Sequence, residues 1–253
     1  MTTTAPSLAE WLAERPFTLA LSSGFFGFFA HLGVLRALRA NRLQPARYVG
    51  SSAGALVGGC MAAGCAPEQL HDTLMALQRE HFWDPAPGLG LLAGQRFRGL
   101  LGGLLPQQQV ELCPVPVALS AWHGASRRTR VLVEGDLVEA IYASCAVPLL
   151  FQPARINGGW YWDGGIGDRP GLAATRPGER VFYHHLASRS PWRRRNSPAL
   201  QIPRRPNLVA MTLQQLPRSG PGKLEQGRRA LDMAYHATLR ALAMPVHEGL
   251  VRL

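Results

Sequence analysis

Short apolar runs alternate with longer stretches of helical character along the 253 residues. Phe17–Ser22 reads as a buried strand; a loop through Gly24 and Gly27 follows, and Phe29–Ala40 reads as a helix. Arg47–Ser51 is a second strand, and Ala53–Ala63 is a helix closed by Gly64. Pro67–Glu80 has helical character. Val115–Trp122 and Thr129–Val133 read as strands joined by a turn containing Gly124. Asp136 and Glu139 have capping-box logic and open a helix running to about Ala146, with Pro148 beyond it. Trp160–Asp163, Val181–Leu186 and Asn207–Leu213 are further strands, and Gly222–Met244 reads as a long final helix. Strands alternating with helices predict an α/β fold.

Two segments escape this pattern. Residues 84–106 carry Leu89, Leu91, Leu92, Leu100 and Leu101 among glycines and prolines, and read as an irregular apolar region: a core-packing loop, or a lid or rim. Residues 188–206 are rich in Arg and Pro, which suits an exposed loop. Trp192 beside Arg193, Arg194 and Arg195 also suits docking on an anionic membrane. The expected organisation is an N-terminal lead over 1–16 and one domain over 17–253.

Composition narrows the partners. Forty-seven per cent of residues are hydrophobic, enough for a packed globule, and the net charge is +11. That charge attracts anionic surfaces, lipid headgroups or nucleic acid. No zinc-finger spacing, aromatic RNA-binding signature or long basic helix is present, which disfavours nucleic acid. Cys60, Cys65, Cys113 and Cys145 form no C-x-x-C pair, and buried free thiols fit a reducing compartment. The start of the chain lacks signal-peptide character, and Leu19–Leu38, interrupted by Ser22, Ser23, His31 and Arg36, is a poor membrane span. A cytoplasmic protein in peripheral contact with membrane is the expectation.

The chemistry gathers around Gly50-x-Ser52-x-Gly54, set between a strand and a small, apolar helical run. A serine at such a tight turn has its hydroxyl pushed out of the backbone trace, with glycines where Cβ atoms would clash. The helix that follows turns its N-terminal N–H groups towards it. A serine needs a base to take its proton, and the candidates are carboxylates and eight histidines. Asp163 ends a short strand and precedes Gly164 and Gly165, a turn that leaves its carboxylate uncrowded. The loop Ser22–Gly27 supplies backbone N–H groups near Gly24 and Phe25 for an oxyanion, with Ala53 as a further donor. In open α/β sheets such turns meet at the carboxyl ends of the strands.

These motifs, in this order, resemble the patatin-like phospholipase family: a glycine-rich loop at Ser22–Phe28, the serine motif at Gly50–Gly54 and the aspartate motif at Asp163–Gly165. The helix His31–Leu38, and Ala143–Pro148 with Phe151–Pro153 leading into Tyr161–Gly165, resemble the family's connecting text. The resemblance spans about residues 17–215. It implies a three-layer α/β/α sandwich around a mostly parallel sheet, and a Ser52–Asp163 dyad without histidine. It also implies hydrolysis of acyl esters of lipids, with neither metal nor cofactor. The family loop is usually richer in glycine and carries a basic residue; here Phe25, Phe26, Phe28 and Phe29 crowd it, and Phe26, Phe28 and Phe29 are expected at the acyl pocket. Two rival readings stand beside it. One is a Ser-His-Asp esterase of the α/β-hydrolase type using His184 or His185. The other is a lipid-binding member of the same fold with weak catalysis.

Overall fold

The computed structural model describes residues 5–187, 197 and 200–253. Most of the Arg/Pro-rich loop, with Trp192, Arg193, Arg194 and Arg195, lies outside the described residues. In chain order the elements are α1 (Leu8–Glu14), β1 (Thr18–Leu21), α2 (Phe28–Ala40), β2 (Arg47–Ser51), α3 (Ala53–Ala62) and α4 (Pro67–Met75). Then come β3 (Gly90–Leu92), α5 (Gln95–Leu104), β4 (Val117–His123), β5 (Arg128–Leu132), α6 (Leu137–Cys145) and β6 (Leu149–Phe151). The chain closes with β7 (Ala154–Ile156), β8 (Gly159–Trp162), β9 (Val181–Leu186), β10 (Leu208–Leu213), α7 (Leu224–Leu242) and β11 (Leu250–Arg252).

The main sheet runs β11-β10-β9-β1-β2-β4-β8-β7, with β5 paired to β4. The strands from β11 to β4 are parallel; β5 and β8 run antiparallel to β4, and β7 antiparallel to β8. β3 and β6 form a separate parallel pair. The fold is a central sheet flanked by helices. The central strands are apolar on both faces, as parallel strands buried on both sides must be. Leu19, Leu21, Leu119, Phe182 and Met211 face a large cluster shared with α2, α3, α6 and α7. Ala20, Val49, Ala118, Tyr183 and Ala210 face a smaller one, covered by Leu172, Ala174 and Ile202.

The structure adds elements that the apolar pattern did not disclose. Within residues 5–16, Ser7 and Glu10 form a capping box, and Leu8 and Leu12 of α1 are buried in the large cluster. The helix expected over 67–80 stops at Met75. The region expected to be irregular over 84–106 contains β3 and the ten-residue helix α5, because Phe97, Leu101 and Leu104 form a helical stripe that the core accepts. All four cysteines are free; Cys113 is half-buried and the others buried. Among the described residues, no helix is long and apolar enough to cross a membrane.

Topology sets the site. The loops after β1 and β2 leave adjacent parallel strands at their carboxyl ends, where Leu21 is in register with Gly50. β8 enters antiparallel to β4, with Trp122 opposite Trp162, so the residues after Trp162 fold back over Ser120 and Ser51.

Candidate active site

Ser52 joins β2 to α3 with φ 54° and ψ −120°, a backbone conformation that costs a non-glycine residue ~1–3 kcal/mol. The surroundings hold it there. Its N–H donates to Ser144 Oγ at 2.9 Å, and Ser144 Oγ donates to the Ser120 carbonyl at 2.6 Å. Its carbonyl accepts from Cys145 Sγ at 3.2 Å and from the Leu56 amide at 3.0 Å. The glycines permit the close approach: a Cβ on Gly54 would lie 2.0 Å from the Leu21 carbonyl oxygen. One on Gly50 would lie 2.5 Å from the Gly54 carbonyl carbon.

The Ser52 hydroxyl donates to Asp163 Oδ2 at 2.6 Å, and both residues are buried. Asp163 Oδ1 accepts from the Gly165 amide at 2.7 Å, and the Asp163 amide donates to the Ala146 carbonyl at 2.9 Å. The carboxylate is thus fixed on one oxygen by its own turn and presents the other to the serine. A Cβ on Gly164 would lie 2.0 Å from the Ser120 carbonyl oxygen, so the turn can sit against β4 only with glycine there. Burial first, and then the Asp163 carboxylate, push the Cys145 thiol well above its usual range, which keeps it a protonated donor.

The loop after β1 is braced from the far side. The Ser23 amide donates to the Arg169 carbonyl at 2.8 Å, the Arg169 guanidinium donates to the Leu186 carbonyl at 2.7 Å, and the Leu186 amide donates to Ser22 Oγ at 2.9 Å. The Gly24 and Phe25 amides find no acceptor among the described residues. Gly24, Phe25, Ser52 and Ala53 line one apolar cavity of about 90 Å³. Its walls are Phe26, Phe28, Leu56, Leu70, Leu74, Phe97, Leu101 and Phe151. α5, within the segment read as lid or rim, is therefore one wall of the cavity. Phe29 is a correction: its side chain is fully buried, packed over Gly227 of α7, because a helix turns it away from the face that carries Phe28.

His184 and His185 stand elsewhere. His184 Nδ1 meets His31 Nδ1 at 2.8 Å, and His31 Nε2 lies 2.8 Å from the Ser22 carbonyl. A carbonyl only accepts, so His31 carries its proton on Nε2 and its Nδ1 accepts from His184. His185 Nδ1 meets Tyr183 Oη at 2.8 Å. Burial pushes His31 and His185 down to about 4, and His184 well below its usual value. The hydrogen bonds of the two β9 histidines thus go to His31 and Tyr183, not to Ser52. Among the described residues, no group of three His, Cys, Asp or Glu side chains could hold a metal ion. A larger cavity of about 1160 Å³ lies beside β10, β11 and residues 200–206 and does not include Ser52 or Asp163 in its lining.

The roles of Ser120, Ser144 and Cys145 were not read from sequence. Ser144 and Cys145 sit in the Ala143–Pro148 text that carries the resemblance, yet nothing local to a small polar residue in an apolar helix says that its hydroxyl meets an amide 92 positions away.

Known proteins resemble this chain in sequence and in fold. The family model of patatin-like phospholipases matches residues 19–175. Uncharacterised NTE family proteins of Mycobacterium tuberculosis and Mycobacterium bovis are 33% identical over 153 residues, which is 59% of this chain and 42% of theirs. Mouse omega-hydroxyceramide transacylase is 28% identical over 167 residues, 60% of this chain and 28% of that protein. The chain thus spans well under half the length of these curated relatives. The crystal structure of VipD from Legionella pneumophila superposes with a TM-score of 0.65 at 14% identity, over 94% of this chain and 67% of that one, a likeness of fold.

Proposed function

The chain belongs to the patatin-like phospholipase family, and we propose that it is a serine hydrolase of lipid acyl esters working through Ser52 and Asp163. The observation that carries this reading is the 2.6 Å hydrogen bond from Ser52 Oγ to Asp163 Oδ2 at the wall of an apolar cavity. Asp163 takes the hydroxyl proton as Ser52 Oγ attacks the ester carbonyl. The amides of Gly24, Phe25 and Ala53 receive the oxyanion. The tetrahedral adduct collapses, the C–O bond to the alcohol breaks, and Asp163 returns its proton to the leaving alkoxide. Water then gives a proton to Asp163 and attacks the acyl-serine; the proton passes back to Ser52 Oγ and the carboxylic acid departs. A histidine has no part in this sequence: the carboxylate is the direct partner of the hydroxyl.

The lining of the cavity supports a hydrocarbon occupant. About 90 Å³ is narrow beside the ~300–1,000 Å³ of sites for drug-sized ligands, and it suits one acyl chain more than a headgroup. Residues 17–253, together with α1, act in this reading as one catalytic domain. The test is hydrolysis of a p-nitrophenyl acyl ester, with fluorophosphonate labelling in parallel. Ser52→Ala and Asp163→Asn should each remove at least about a thousandfold of the rate, and Ser52→Ala should remove the label. Near-normal hydrolysis by Ser52→Ala sinks the proposal. A loss of similar size in His184→Asn or His185→Asn favours a Ser-His-Asp arrangement of Ser52, Asp163 and that histidine instead.

A further inference from the structure

Val147 and Phe151 both line the cavity beside Ser52, and the chain between them turns outward. The Leu150 and Phe151 amides donate to the Val147 carbonyl at 3.2 and 2.9 Å, which places Leu149 at the tip of the turn. Leu149 is 82% exposed and has φ +67°, a left-handed backbone that leucine rarely adopts. Folding gains nothing from a leucine here. β6 pairs with β3 so that Leu149 is in register with Gly90. Leu89 and Leu91, 66% and 50% exposed, therefore flank Leu149. The chain around this ridge carries no charge: residues 85–95 and 140–154 contain no Asp, Glu, Lys, Arg or His, in a protein whose net charge is +11.

We propose that Leu89, Leu91 and Leu149 form an insertion ridge that docks the protein on an anionic phospholipid bilayer. The ridge exposes only a few hundred Å², against the ~800 Å² per partner that a stable protein–protein interface buries, so a second chain is a poor occupant. Leucines can enter the acyl boundary without desolvating a charge, while the positive field of the whole protein draws it to an anionic leaflet. The turn that carries Leu149 has both ends in the wall of the cavity, so a bilayer seated on the ridge lies beside that cavity. The inference rests on the lipid-ester reading of Ser52 for its purpose, but not for its measurement.

The test uses Ser52→Ala protein, with and without Leu89→Ser, Leu91→Ser and Leu149→Asn together, floated with phosphatidylcholine vesicles containing phosphatidylglycerol. Asparagine tolerates the left-handed backbone at 149, so the fold should survive, and thermal unfolding checks it. Partitioning should fall at least about tenfold in the ridge variant. In the Ser52 background, hydrolysis of soluble p-nitrophenyl butyrate should stay within about twofold of normal. Equal flotation of the folded ridge variant overturns the proposal. So does a lipid-free dimer that the substitutions convert to monomer, since the ridge is then a protein interface. Failure of the catalytic reading shows separately, as soluble-ester hydrolysis that survives Ser52→Ala while flotation still depends on the ridge.

Discussion

Acid should destabilise this fold through His31, and the size of the effect follows from its hydrogen bonds. His31 is fully buried, its Nε2–H donates to the Ser22 carbonyl, and its Nδ1 accepts from His184 Nδ1–H. Protonating His31 would set two N–H groups against each other, without water to absorb the charge. Burial accordingly lowers its pKa from 6.5 to about 4. The folded pKa lies below the unfolded one, so the unfolded chain binds the extra proton first. The stability that neutral His31 contributes is whole above pH 6.5 and drains away as the pH falls towards about 4. Between those values the slope is about 1.4 kcal/mol per pH unit, and by about pH 5 the loss is roughly 2 kcal/mol. That is a large part of the ~5–15 kcal/mol of a typical domain. Glu10 and Glu179 are held below the ordinary carboxylate value, which moves their own titration away from this window. His184 and His185 add to the slope with the same sign. Urea unfolding at a series of pH values measures it. His31→Gln keeps a donor for Ser22 but cannot titrate; it should lower stability at neutral pH and flatten the slope by about 1.4 kcal/mol per unit. A wild-type stability that is level from pH 6.5 to 4.5, or an unchanged slope in His31→Gln, refutes the reasoning.

Two further outcomes test the site. Ser144→Ala takes the acceptor from the Ser52 amide and the donor from the Ser120 carbonyl. It should cost ~1–3 kcal/mol of stability and lower kcat on a soluble ester about 10–100-fold with little change in KM, a split that steady-state kinetics reads directly. Leu101→Ala removes a buried wall of the cavity beside Ser52. It should cost ~2–5 kcal/mol and move the preference along a p-nitrophenyl ester series towards longer chains; a folded variant with an unmoved profile counts against the acyl-cavity assignment.

Much of the frame was legible along the chain. β1 and β10 are runs of mostly apolar residues because strands covered on both faces have no polar side to alternate with. The end of β2, the start of α6 and the glycine after α3 came from local rules: a serine turn, an aspartate cap whose carboxylate accepts from the Glu139 amide at 2.8 Å, and a left-handed glycine at 64. Other features were hidden. α1 is short and its stripe is two leucines; α5 is broken up by glycines at Gly99, Gly102 and Gly103, which weaken helix propensity while the core still takes its apolar side.

By itself, the sequence marked the core strands β1, β2, β4, β9 and β10 and the helices α2, α3, α6 and α7, a turn at Ser52 needing small neighbours, and a glycine turn after the strand that leads to Asp163. Only the tertiary structure decided what those residues meet. Periodicity reports which side of an element is buried, not which distant element buries it. The sheet order sets Asp163 on Ser52 across 111 positions and Ser144 under the Ser52 amide across 92, and pairs His31 with His184 across 153. It also turns Phe28 into the cavity and Phe29 into the core, since one step along a helix is about 100° of rotation and the packing of α2 on α7 fixes where that rotation begins.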